Sequence, residues 1–105
     1  MELKIIHFYP DLMSLYGSYA NVSVLRRYLE ALGCAVTVQP VVPGEGADIT
    51  GADFLFMGAG TERAQRFAAE DFARYSATVK AAAEDGTAML FAGTAMELLG
   101  CLLYT

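Results

Sequence analysis

Apolar positions in this chain fall into short runs, separated by stretches in which they recur every third or fourth residue. Leu3 to Tyr9 is such a run, closed by Pro10, and it predicts a buried parallel strand. A Tyr/Gly/Ser loop follows over Ser14 to Ala20, and Asn21 is placed to cap a helix that ends at Leu32, with Gly33 as the stop. Val22, Leu25, Leu29 and Leu32 make the inner stripe of that helix, while Arg26, Arg27 and Glu30 face water. Ala35 to Val41 alternates, and Pro40 and Pro43-Gly44 then break the chain, which predicts a second strand at a sheet edge. Asp53 to Met57 reads as a third strand opening into Gly58-Ala59-Gly60. A short helix over Glu62 to Phe67 precedes a longer one whose inner stripe is Phe72, Tyr75, Ser76, Val79, Ala82 and Ala83 and which Gly86 terminates. Thr87 to Ala92 is a fourth strand, followed by a tight turn at Gly93-Thr94-Ala95 and an apolar helix.

Strands alternating with helices imply βαβ units, a parallel sheet and right-handed crossovers. The expected architecture is a flavodoxin-like α/β/α sandwich with strand order 2-1-3-4, formed by residues 1–105 as a single domain. Ligands of such sheets sit beyond the carboxyl ends of the strands, near the switch point between strands 1 and 3. That rule places Tyr9-Pro10-Asp11, Gly58-Ala59-Gly60 and Gly93-Thr94 on one rim.

Composition narrows the function classes. With 55% hydrophobic and 18% charged residues the chain has the makings of a packed core, and disorder is excluded. A formal charge of −5, with the seven basic residues scattered, argues against nucleic acid as a partner. No apolar run approaches the ~18 residues of a membrane span, so no membrane insertion is expected. Cys34 and Cys101 are far apart and show no metal-ligand spacing, so neither a metal site nor a disulfide framework is expected; a reducing cytoplasm fits, and no cofactor is implied.

Among the candidate groups, Gly58-Ala59-Gly60 lies between a strand and a helix, where backbone N–H groups can point at negative charge. It is not a dinucleotide fingerprint, because no third glycine follows at the required offset, and no Walker lysine is present. Asp11 sits just past the first strand on the ligand rim, although capping a turn is its simplest role. Glu70-Asp71 reads as a helix start, where negative charge is favourable, and Glu84-Asp85 as a solvated helix end. His7, the single histidine, falls inside the first strand and is expected in the core. The turn at Gly93-Thr94-Ala95 has the shape of a nucleophile elbow without a nucleophile. Thr94 offers a hydroxyl but has no adjacent base, and Cys101 lies two helical turns farther on.

Several runs taken together carry a resemblance to a known family. Tyr9-Pro10-Asp11-Leu12-Met13-Ser14-Leu15-Tyr16-Gly17, then Asn21 with Val24-Leu25-Arg26, Gly58-Ala59-Gly60-Thr61-Glu62-Arg63-Ala64-Gln65, and Glu97-Leu98-Leu99-Gly100 resemble the class I glutamine amidotransferases of the cobyric acid synthase type, above all the branch serving lipid II isoglutaminyl synthases. The resemblance runs the whole length of the chain and identifies it as the N-terminal part of such a domain. It implies glutamine as ligand, hydrolysis by a Cys-His-acid triad, and transfer of ammonia to a Mur-ligase-like subunit. It also assigns the oxyanion loop to Gly58, Ala59 and Gly60, with alanine where a glycine is usual. The family's nucleophilic cysteine maps onto Gly93, followed by Thr94. A glycine cannot attack a carboxamide, so the sequence predicts a catalytically incomplete relative, or else a non-catalytic binding or scaffold module that keeps the family's partner surface. The apolar fourth strand is expected to drive self-association of the isolated chain.

Overall fold

The computed structural model describes residues 1–13, 18–44, 46–92, 95–96 and 99–100. Four strands, β1 (Glu2–Phe8), β2 (Ala35–Val41), β3 (Phe54–Met57) and β4 (Ala88–Phe91), form one parallel sheet in the order β2-β1-β3-β4. Helix α1 (Ser18–Ala31) joins β1 to β2, and α2 (Glu62–Phe72), a turn of 3-10 helix (Ala73–Tyr75) and α3 (Ser76–Glu84) join β3 to β4. The expected flavodoxin-like α/β fold and strand order are therefore those observed.

Side-chain alternation along the strands assigns each residue to one face. Ile5, Val36 and Phe56 pack with Val22, Leu25 and Leu29 of α1. Ile6, Phe8, Leu55, Met57 and Phe91 turn the other way, onto Ala68, Phe72, Tyr75 and Val79. Phe8 is the hub of this second layer, with ring centroids 5.1 Å from Phe72 and 5.6 Å from Tyr75. Register is fixed outside the ladder as well, because the Asp53 carboxylate accepts from the Lys4 N–H at 2.8 Å while the Asp53 N–H donates to the Lys4 carbonyl at 2.9 Å.

Several boundaries differ from expectation. Helix α1 starts at Ser18, and Asn21 is exposed inside it rather than capping it. Leu32 lies past the helix end and is 63% exposed, so the inner stripe stops at Leu29; Gly33, at φ 92, makes the turn that follows. The helix expected to end at Phe67 continues to Phe72, and the break falls at Ala73–Tyr75. Ala83, assigned to the buried stripe, is exposed. Strand β1 stops at Phe8, because Tyr9 turns into the left-handed region at φ 54.

Candidate functional site

The carboxyl ends of β1 and β3 meet in a close backbone approach. After β1, the Tyr9 N–H donates to the Val41 carbonyl (2.7 Å) and the Met13 N–H to the Tyr9 carbonyl (2.9 Å), so residues 9–13 curl back over the sheet. Asp11 is exposed on this turn, whereas Met13 is fully buried. After β3, Gly58, Ala59 and Gly60 are all buried. A Cβ at Gly60 would overlap the Met13 Sδ and lie 3.1 Å from its Cε and 3.4 Å from the Ala64 Cβ. The close approach is to the flexible end of the Met13 side chain, which would have to shift to admit a Cβ; no dihedral demand adds to it, since neither Gly58 nor Gly60 has positive φ. Tyr9 is the one non-glycine with positive φ among the described residues, so the alanine at position 59, where a glycine is usual, carries no left-handed strain.

Thr61 converts the corner into a helix. Its backbone is extended (φ −66, ψ 163), and its Oγ1 accepts from the Ala64 N–H at 3.1 Å, satisfying one of the orphan donors of α2. The small-residue corner therefore leads directly into a helix N-terminus, where the backbone dipoles favour negative charge. On the β4 side, the Ala92 N–H donates to the Met57 carbonyl at 3.0 Å, which extends the β3–β4 pairing to the residue before Gly58, and Ala95 is fully buried. Gly93 and Thr94, the expected nucleophile position and its neighbour, lie outside the described residues, as does Cys101.

A buried polar cluster invisible to sequence reasoning supports the corner from behind. Asp71 belongs to the last turn of α2, not to a helix start as its sequence context suggested, and it is 9% exposed. Its Oδ2 accepts from the Tyr9 hydroxyl at 2.6 Å, and its Oδ1 accepts from the Gly44 N–H at 2.8 Å and lies 3.0 Å from the Arg74 guanidinium. Burial, then the adjacent Asp71 carboxylate, push the Tyr9 hydroxyl above the usual phenol range, so it remains a donor. Nearby, the Tyr75 hydroxyl accepts from the Ala47 N–H at 3.1 Å.

His7 occupies the α1 face of β1. It is 2% exposed and stands edge-on to Phe56, with ring centroids 5.0 Å apart. Burial pushes its pKa down to about 4 against a smaller opposing effect of the Asp11 carboxylate, so the imidazole is neutral at pH 7. It borders a pocket of about 200 Å³ between α1 and the ends of β1 and β2, with Ser23, Arg26 and Pro40 among the other walls. Among the described residues no group of three or more His, Cys, Asp or Glu side chains could hold a metal ion, and no helix is long and apolar enough to cross a membrane.

No family model matches the chain. Among curated proteins, it is 32% identical over 85 residues to the lipid II isoglutaminyl synthase (glutamine-hydrolyzing) subunit GatD of Staphylococcus aureus (strain N315), a match covering 81% of this chain and 35% of that protein. It is also 32% identical over 100 residues to the subunit of the same name from Streptococcus pneumoniae (strain ATCC BAA-255 / R6), covering 94% of this chain and 38% of the relative. The chain thus spans little more than a third of the length of the curated relatives it matches, and along most of its own length its sequence is GatD-like.

Proposed function

We propose that this chain is a portion of a glutamine amidotransferase of the cobyric acid synthase type. Its role in that reading is to present the glutamine-binding corner of a subunit that supplies ammonia to a Mur-ligase-like partner amidating lipid II. The observation that carries the reading is the Gly58-Ala59-Gly60 corner: buried small residues with Met13 packed against Gly60, opening directly onto the capped N-terminus of α2, within a sequence that is GatD-like around it. In this assignment the backbone of Gly58, Ala59 and Gly60 faces the carboxamide oxygen of glutamine, where negative charge develops during acyl transfer. Asp11 borders the same rim.

Turnover needs a nucleophile and a base. The nucleophile position is Gly93, and His7 is a buried, neutral ring on the α1 face of the sheet. We therefore assign binding without hydrolysis to this chain alone, and the glycine at position 93 equally favours a second reading, a non-catalytic module that keeps only the partner surface. Titration of L-glutamine into the labelled chain, followed at the Gly58 and Gly60 amides, separates the two. Saturable shifts at those amides support the corner as a glutamine site, whereas unmoved amides leave the scaffold reading. Ammonia release above a buffer blank, abolished by Thr94→Ala or Cys101→Ala, would overturn the assignment of binding without hydrolysis.

A further inference from the structure

Asp71 breaks a local rule. A carboxylate in the last turn of a helix opposes the helix dipole, and burying one demands partners for its lone pairs. Those partners come from separate segments: Tyr9 at the end of β1, Gly44 in the loop after β2, and Arg74 just past α2. Tyr9 breaks a second rule, since a bulky aromatic residue rarely occupies the left-handed region, here at φ 54. The two irregularities touch at 2.6 Å, and the backbone they constrain is the one whose Tyr9 carbonyl receives the Met13 N–H and whose Met13 side chain closes on Gly60.

We propose that the Tyr9–Asp71 hydrogen bond is a latch that holds the residue 9–13 turn down on Gly60, making Tyr9 and Asp71 the positioning residues of the candidate corner. The latch keeps Tyr9 left-handed by fixing the far end of its side chain inside the core. The turn then has one path, and Met13 is delivered onto the corner's backbone. Gly44 and Arg74 keep the carboxylate in place while Tyr9 uses it. The latch is a statement about this chain's geometry, and its relevance to a ligand rests on the reading of the corner as a glutamine site.

The test compares Tyr9→Phe with Tyr75→Phe, which removes a buried hydroxyl from the same aromatic layer but not from the turn. Amide hydrogen exchange is followed at Met13, whose N–H reports the turn, and at Ile6 in the middle of β1, which reports the core. In Tyr9→Phe, Met13 exchange should accelerate about tenfold or more beyond any change at Ile6, as expected for loss of a hydrogen bond to a charged acceptor, and the nuclear Overhauser contact between the Met13 methyl and Gly60 should weaken. In Tyr75→Phe the two amides should change together and that contact should persist. Equal effects of the two substitutions, or a Met13 amide in Tyr9→Phe that tracks Ile6, would overturn the latch. If Tyr9→Phe does not fold, Asp71→Asn is read by the same ratio. L-glutamine titrated into the unsubstituted chain is the separate arm: silent Gly58 and Gly60 amides refute the glutamine reading, while the exchange ratio alone decides the latch.

Discussion

A single histidine makes the electrostatics of β1 directly measurable. His7 has its pKa moved from 6.5 to about 4, chiefly by burial. The folded state therefore resists the proton that the unfolded chain accepts, and the sign follows: between pH 6.5 and 4 the unfolded state binds more protons, so stability falls as pH falls. At 1.36 kcal/mol per tenfold change in proton affinity, the full interval amounts to about 3 kcal/mol. That is a large share of the ~5–15 kcal/mol that holds a domain of this size together. The perturbation is His7→Gln, which removes the titrating ring at the expense of a pH-independent packing loss. Urea unfolding of both proteins from pH 7 to pH 4 should show the native chain losing about 3 kcal/mol more than the variant, other carboxylates cancelling in the difference. The imidazole Cε1–H resonance, unambiguous in a one-histidine protein, should titrate well below pH 6. Parallel stability curves, or a folded-state titration near 6.5, would refute the argument that burial outweighs the Asp11 carboxylate.

Gly60→Ala should cost no more than about 1 kcal/mol, because the Met13 Sδ and Cε it meets end a flexible side chain, and Met13→Ala in the same chain should recover part of that loss, giving a favourable coupling energy in a double-mutant cycle of unfolding. Gly93→Cys should produce no glutaminase turnover but a reactive thiol; alkylation rate against pH should titrate below the free-cysteine value of about 8.5, and a thiol at or above it would show that no helix N-terminus faces position 93. Strand β4 is a sheet edge among the described residues, with Leu90 46% exposed, so the isolated chain should self-associate on a sedimentation dilution series; Leu90→Lys should shift it toward monomer, and a strict monomer unaffected by Leu90→Lys would refute the edge argument.

The sheet was legible in sequence because β1, β3 and β4 are apolar runs and β2 alternates, each bounded by a turn residue, and the helical periods that join β1 to β2 and β3 to β4 permit one handed connection. The helix break at Ala73–Tyr75 was not, because no glycine or proline marks it and Phe72, Tyr75 and Val79 keep an unbroken buried spacing straight through it. Helix α1 begins three residues before Asn21, and a polar residue competent to cap does not by itself mark a helix start. The corner was legible as a strand-to-helix turn of small residues; what presses on Gly60 was not, since Met13 is brought there by the curl of another loop. Asp71 was misread for the same reason. Its partner Tyr9 lies 62 residues away, and a carboxylate beside Glu70 looks solvated until the fold covers it.

The position of β1 between β2 and β3 has a consequence for how the chain assembles. The unit β1–α1–β2 is contiguous and closes over a modest loop, so the entropic cost of pairing its two strands is small. β3 is aligned against a strand that is paired with β2 on its other side, and a slip of one residue would turn Phe54 and Phe56 to the wrong layer. The two-sided Lys4–Asp53 clip sits at the start of that pairing. It makes Asp53 a register mark for the β1–β3 pairing, because a slip of one residue would break both of its hydrogen bonds to the Lys4 backbone.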